Sequence, residues 1–168
     1  ESIAESGMQI TKSAVNPAKG DLFDCDDSLP VLPKKELEIF HSTVAKLLYV
    51  SIRARPDLQL AISFLCTRVS KANIQDKRKL QRVLEYILGT KDLHLTLGAD
   101  DLNNLHTWID AAYSPHPDAK SHTGGVISMG RGGMICKSTK QKLVTKSSTE
   151  AELVGSSDYI SNTIWSKY

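Results

Sequence analysis

The 168-residue chain has little of several residue types, and each shortage excludes a class of protein. Its three cysteines, Cys25, Cys66 and Cys136, are odd in number, far apart and without a CxxC pair, which argues against a disulfide framework and a zinc site. Its apolar runs are far shorter than the ~20 residues that a membrane span needs. We therefore expect an intracellular protein without a membrane partner, in which Cys66 and Cys136 are small buried hydrophobes.

The chain has the composition of a globular protein, with 40% apolar and 24% charged residues. Its net charge of +2 is unevenly distributed, because residues 1–33 carry −4, residues 34–99 carry +6 and residues 100–168 are neutral. A basic region beside a neutral region that contains acids can bind a polyanion, but a solvated helical surface has the same composition. Both interpretations stay open on charge alone.

The hydrophobic pattern of the first hundred residues changes once. Residues 1–33 hold three prolines and an acidic run without a sustained period, which predicts an extended connector. Residues 34–99 show three apolar stripes at three- and four-residue spacing, which predicts three helices. Pro56 favours the start of the second helix, Asn73 caps the third and Gly89 ends it. The polar side of the third helix carries Lys77, Arg78 and Arg82.

From residue 100 the period of the apolar residues changes to two, which is typical of strands. The segments LHTWIDAAYS and HTGGVISMG are predicted strands, and a GRGG hairpin turn leads to a third strand or strand pair in MICKSTKQKLVTK. A helix then begins near Ser147, with Leu153, Ile160 and Ile164 as its expected buried stripe. Trp108 and Trp165 are expected in the core rather than as platforms for base stacking. Helices followed by hairpin-connected strands predict an α+β or α/β fold.

Asp110 stands in the middle of an otherwise apolar strand, on the same face as Trp108. Because burying an unpaired carboxylate is costly, Asp110 either faces solvent or binds a cation. Three histidines, His106, His116 and His122, lie near it in the sequence, but their spacing does not match a zinc-ligand pattern. We expect His122 to order a turn or to contact the backbone.

The segment KSSTEAELVGSSD contains two glutamates, Glu150 and Glu152, that point about 200° apart on a helix. Ser147 followed three residues later by Glu150 predicts a capping box, in which the glutamate side chain reaches back to the cap residue. Glu150 is therefore expected to be structural. Glu152 lies on the flank of the expected buried stripe and is the better candidate for chemistry.

Four segments together carry a family resemblance: AKLLYVSIRARPDLQLAISFLCTRVSKAN, KRKLQRVLEYILGTKDLHLTLG, SHTGGVISMGRGGMICKSTKQK and KSSTEAELVGSSD. Their order is that of the C-terminal end of copia-type retrotransposon polyproteins. The resemblance implies a helical reverse-transcriptase end in residues 34–99. In residues 100–168 it implies an incomplete ribonuclease H-like mixed sheet with a packed helix.

The resemblance also implies a site and a reaction. The first-strand acid of the family resembles Asp110 and its helix glutamate resembles Glu152, and both would bind Mg²⁺ or Mn²⁺. The reaction would be two-metal hydrolysis of the RNA strand of an RNA–DNA hybrid. Ala112 stands where many members have a second acid, and a further aspartate is expected beyond Tyr168. Four lysines could hold phosphates, or could simply guard a solvated strand: Lys137, Lys140, Lys142 and Lys146.

The resemblance further implies that the partners are an RNA–DNA hybrid and the rest of the polyprotein, in a cytoplasmic virus-like particle. Two alternatives without catalysis stay open. One is a nucleic-acid-binding module that keeps the basic helices of a decayed or repurposed element. The other is a structural connection between polymerase and nuclease that does not touch the hybrid.

Overall fold

The computed structural model describes residues 6–168 and divides the chain into two units, the first ending at Leu93 and the second being His94–Tyr168. The predicted boundary at residues 99 and 100 lies six residues after this division. Together the units contain helices and small antiparallel sheets, which is an α+β fold. Among the described residues no helix is long and apolar enough to cross a membrane.

The first unit contains three α-helices among its described residues: α1 Lys34–Arg53, α2 Gln59–Cys66 and α3 Ile74–Gly89. A 3-10 turn, Pro56–Leu58, precedes α2, as expected from a proline at a helix start. The Asn73 side chain accepts hydrogen bonds from the amides of Gln75 and Asp76, and the Asp76 carboxylate accepts one from the Asn73 amide, so the predicted cap is confirmed. The predicted stripes form the core, which includes Phe40, Val44, Leu58, Ile62, Leu65, Leu80, Val83 and Leu84.

Residues 6–33 pack against this helical core and lack helices and longer strands. Leu22 is buried, and the Asp27 carboxylate forms ion pairs with Arg68 at 2.8 Å and Lys71 at 3.0 Å. The segment predicted as a connector is therefore, in its described part, an integral layer of the first unit. Residues 1–5 of that prediction lie outside the described residues.

The second unit contains two antiparallel sheets. Strands β2 His106–Ala112, β3 His122–Ser128 and β5 Ile135–Lys140 pair in the order β2-β3-β5. The short strands β1 Gly98–Ala99 and β4 Gly130–Arg131 pair with each other. Every pairing among the described residues is antiparallel, so the parallel part of the mixed sheet that the resemblance implies is not present among them.

Helix α4, Ser148–Lys167, packs on β2 and β3 through small residues. Its buried residues are Ala151, Gly155 and Tyr159, which recur every four residues on one face. The Tyr159 ring lies directly over Gly125 of β3, where a side chain would overlap it. These close contacts decide which face of α4 meets the sheet.

The buried stripe predicted for α4 was wrong. Leu153, Ile160 and Ile164 are 70%, 55% and 53% exposed. The sheet accepts the face of α4 that carries Ala151, Gly155 and Tyr159, because Gly125 leaves room for the Tyr159 ring, and the larger apolar residues of the predicted stripe lie off this face. The prediction that Trp108 and Trp165 lie in the core was also wrong, because their side chains are 56% and 76% exposed. Both lie outside the interface between α4 and the sheet.

Candidate active site

Asp110 lies on the exposed face of the β2–β3–β5 sheet. In β2, Thr107 and Ala111 face α4, because Thr107 Oγ1 lies 3.2 Å from Thr163 Oγ1 and the Ala111 side chain adjoins Gly155. Successive side chains alternate, so Asp110 projects from the opposite face, which confirms the predicted face shared with Trp108. Asp110 is paired with Gly124 of the neighbouring strand β3, and because glycine has no side chain, this partner leaves the space beside the carboxylate open. The Asp110 side chain is exposed and accessible to a cation.

Glu152 reaches the same strand from α4. Its half-buried side chain accepts a hydrogen bond through Oε1 from the Ala111 amide at 3.1 Å. Ala111 is the residue after Asp110, so the contact brings the helix carboxylate beside the backbone that carries the strand carboxylate. β2 is an edge strand among the described residues, which leaves its amide available to a helix side chain.

Glu150 caps α4 and does not approach the sheet. The Glu150 amide donates to Ser147 Oγ at 3.2 Å, as the capping box predicts. The Glu150 carboxylate, however, accepts from the Lys146 amide at 2.6 Å rather than from the cap residue Ser147. Glu150 therefore has the predicted structural role, but its carboxylate accepts from the amide one residue before the predicted one. This leaves Glu152 as the helix acid near β2.

The donor chemistry of Asp110 and Glu152 fits a hard divalent ion, because both offer carboxylate oxygens and neither forms an ion pair with a cation among the described residues. A set of three or more acid, histidine or cysteine side chains able to hold a metal is absent from residues 6–168.

The basic residues predicted on α3 are mostly engaged within the first unit. The Lys77 ammonium pairs with Glu36 at 2.6 Å, and Arg82 donates to Asn16 in the segment that covers α3. Arg78 is exposed. A polyanion that approached α3 would therefore compete with intramolecular partners at Lys77 and Arg82, a condition that sequence periodicity cannot reveal.

The four predicted lysines of the second unit do not share one face. Lys137 pairs in register with Gly125 and donates to Asn162 of α4. Lys140, on the opposite face of β5, forms an ion pair with Asp118 at 2.7 Å. Two others lie exposed in the segment that joins β5 to α4: Lys142 and Lys146. Of these four lysines, Lys140 is the one with an ion-pair partner among the described residues, and Lys142 and Lys146 lie together in the joining segment.

A buried pair of histidines lies on the sheet face that also carries Asp110. His116 Nε2 lies 3.0 Å from His122 Nδ1, and His122 Nε2 lies 2.7 Å from Ser138 Oγ. His122 thus bonds the side chains of His116 and Ser138. Burial lowers the pKa of each ring to about 4, the positive charge of Lys140 acting in the same direction on His116 and the neighbouring His116 ring on His122. Both rings are therefore neutral at pH 7.

We predict that this pair makes the second unit unstable in mild acid. Between pH 6.5 and about 4 the unfolded chain binds protons at both histidines that the folded chain does not, so stability falls as the pH falls. The loss is at most about 3 kcal/mol for each ring. Urea unfolding followed by tryptophan fluorescence at pH 7 and pH 4.5 measures it, because both tryptophans of the chain lie in this unit.

The control is the exposed residue His106. In a His116→Gln/His122→Gln double variant the drop between pH 7 and pH 4.5 is expected to shrink, whereas His106→Gln is expected to keep it. An equal drop in all three proteins would mean that other groups set the acid sensitivity.

Gln141 is a buried polar residue beside the acids that sequence reasoning did not single out. It directly follows β5, is 3% exposed and donates from Nε2 to the Ala151 carbonyl at 2.8 Å and to Thr123 Oγ1 at 2.9 Å. In the sequence it stands between two lysines in KQK, a context typical of an exposed strand end. A single glutamine has no period or spacing that could have revealed its burial.

The comparisons with known proteins give several relatives. The chain is 32% identical over 114 residues to the retrovirus-related Pol polyprotein from transposon RE2 of Arabidopsis thaliana, covering 67% of this chain and 8% of that protein. It is 28% identical over 135 residues to the corresponding polyprotein from transposon RE1 of the same plant, covering 73% of the chain and 9% of the polyprotein. It is also 28% identical over 125 residues to the secreted RxLR effector protein 161 of Plasmopara viticola, covering 74% of the chain and 88% of that protein.

The chain therefore spans less than a tenth of the two plant polyproteins that it matches. No protein-family model matches it. No solved structure matches it significantly either.

Proposed function

The chain is related to the copia-type retrotransposon Pol polyproteins, and from that premise we propose that it is a piece of such a polyprotein whose second unit belongs to a metal-dependent ribonuclease H. The observation that carries the proposal is the bond from the Ala111 amide to Glu152, which brings the helix acid to the backbone of the residue that follows Asp110. A helix acid about forty residues further along the chain thus contacts the strand that carries Asp110.

In this proposal Asp110 and Glu152 bind Mg²⁺ or Mn²⁺ and the substrate is the RNA strand of an RNA–DNA hybrid. Bound divalent ions would activate a water molecule and stabilise the leaving oxygen of the phosphodiester. The chain itself holds the Glu152 carboxylate through the Ala111 amide and leaves the Asp110 carboxylate exposed to solvent and substrate. Lys142 and Lys146 supply positive charge for the phosphate backbone.

The test uses a longer polyprotein segment that contains this chain. We expect Mg²⁺-dependent cleavage of the RNA strand of a hybrid, and no cleavage of a DNA duplex of the same sequence, because the 2′-hydroxyl distinguishes the strands. The nuclease proposal fails if the segment binds the hybrid with the salt dependence of phosphate contacts but does not cleave it at any Mg²⁺ concentration.

That failure would favour the second candidate, a binding module without catalysis. One observation supports it: the chain spans 88% of the Plasmopara viticola protein, so a segment of nearly this extent occurs elsewhere as a short protein. The two candidates differ in the need for Asp110. A binding module keeps its affinity for the hybrid in Asp110→Asn, and removing a negative charge there even strengthens its binding to phosphates.

A further inference from the structure

Gln141 connects the two elements that bring Glu152 to β2. Its backbone amide donates to the Ser121 carbonyl at 2.8 Å, which fixes the residue at the end of β5 beside the start of β3. Its side chain lies between β3 and α4, with Nε2 donating to Thr123 Oγ1 and to the Ala151 carbonyl. Because the Ala151 carbonyl can only accept a hydrogen bond, the side-chain nitrogen and not the oxygen must face α4.

These contacts close a ring around the candidate site. Gln141 binds the carbonyl of Ala151, and Ala151 is joined by a peptide bond to Glu152. The Glu152 carboxylate accepts from the Ala111 amide, and Ala111 pairs across the strands with Thr123. Thr123 Oγ1 in turn accepts from Gln141, which completes the ring.

The apolar packing at the beginning of α4 is too small to fix the rotation of this turn. The buried residues in the first two turns are Ala151 and Gly155, which together offer one methyl group. The large buried side chain, Tyr159, lies a further turn along the helix. A directional bond from a buried amide therefore contributes more to the orientation of the first turn than shape complementarity does.

We propose that Gln141 is a positioning residue, which holds the first turn of α4 so that the Glu152 carboxylate meets the Ala111 amide. It touches neither substrate nor metal. The significance of the position for catalysis rests on the proposed function of Glu152, but the positioning itself does not. In metal sites generally, hydrogen bonds from surrounding groups hold the ligand oxygens in the orientation that binds the ion.

The experiment uses the ¹⁵N-labelled chain and follows the Ala111 amide by NMR. Gln141→Met keeps the length of the side chain and removes both donors. We expect the Ala111 amide to exchange with solvent at least about tenfold faster than in the parent chain, while the amide of the buried residue Ile127 is unchanged. We also expect the Mg²⁺ concentration that half-shifts the Ala111 and Glu152 signals to rise about tenfold.

Two further variants keep the result interpretable. Thr123→Val keeps the shape of the side chain that accepts the second Gln141 hydrogen bond and removes only its hydroxyl. We therefore expect the Ala111 amide to exchange within about twofold of the parent rate. Gln141→Asn keeps an amide but shortens its reach, and it replaces Gln141→Met if the latter does not give a folded spectrum. For Gln141→Asn we expect the same tenfold faster exchange of the Ala111 amide as for Gln141→Met, because the shorter side chain cannot span from β5 to Ala151.

Unchanged Ala111 exchange in both Gln141 variants would overturn the proposal, as would an equal effect of Thr123→Val, which would assign the role to the network as a whole. If Mg²⁺ shifts no signal in the parent chain, the metal site of the proposed function is wrong. The exchange rate of the Ala111 amide still decides the positioning role in that case, because it is measured without metal.

Discussion

Replacing Glu152 with glutamine in the longer polyprotein segment is expected to lower its rate of hybrid cleavage at least about a thousandfold, which is a loss of roughly 4 kcal/mol of transition-state stabilisation. Asp110→Asn is expected to do the same. Each change keeps the size of the side chain and removes a negatively charged oxygen ligand for a divalent ion. The structure supports testing these two together, because Glu152 accepts from the amide of the residue that follows Asp110.

Glu150→Gln is the matched control. It makes the same chemical change two residues earlier on the same helix, where the carboxylate accepts from the Lys146 amide instead of approaching β2. We expect its cleavage rate to stay within about threefold of the parent rate, since the loss of a capping charge costs only about 1 kcal/mol of stability. Initial rates over a range of Mg²⁺ concentrations measure all three variants. Equal losses in Glu150→Gln and Glu152→Gln would contradict the division of roles between the two glutamates.

Gly125→Ala is expected to destabilise the second unit by about 3 kcal/mol, the upper end of the cost of overpacking a well-packed site. A Cβ at Gly125 would lie 2.6 Å from Tyr159 Cδ2, with two other ring atoms also in overlap. The ring has little room to move, because Tyr159 is 3% exposed and its hydroxyl donates to the Ile135 carbonyl at 3.2 Å. α4 would have to move away from the sheet, and Glu152 with it.

The neighbouring residue supplies the control for this prediction. Gly124→Ala places its Cβ on the opposite face of β3, where the nearest atom, the Asp110 carbonyl oxygen, is 4.0 Å away. We expect Gly124→Ala to change the free energy of unfolding by less than about 1 kcal/mol, since alanine loses less backbone freedom than glycine in a strand. Urea unfolding followed by tryptophan fluorescence compares the two. A similar loss of stability in Gly124→Ala and Gly125→Ala would mean that the backbone conformation of β3, and not overlap with the Tyr159 ring, causes the loss.

Much of the local structure could be predicted from short-range patterns. The Asn73 cap, the start of the second helix near Pro56 and the apolar stripes of the first unit follow from contacts within four residues along the chain. The same holds for the alternation that places Trp108 and Asp110 on one face of β2, and for the capping role of Glu150. The fold class followed from the sequence of these elements.

The buried face of α4 could not be predicted in this way. Leu153, Ile160 and Ile164 are more hydrophobic than Ala151 and Gly155, so a pattern of hydrophobicity selects the wrong face. What decides the face is the surface across from it, where Gly125 accepts the Tyr159 ring and Ala111 and Thr123 adjoin Gly155. Those residues are about thirty or forty positions away in the chain, beyond the reach of any periodicity.

The sequence by itself therefore determined the helix caps, the alternation of side chains along β2, which glutamate caps the helix and which acids were worth testing, because caps and alternation depend on near neighbours. Only the tertiary structure decided that Glu152 meets the strand of Asp110, that Lys77 and Arg82 already have partners, and that His116 and His122 share a buried bond. These are contacts between residues brought together by packing. Their energies depend on distances between residues that are far apart in the sequence, and local sequence patterns do not determine those distances.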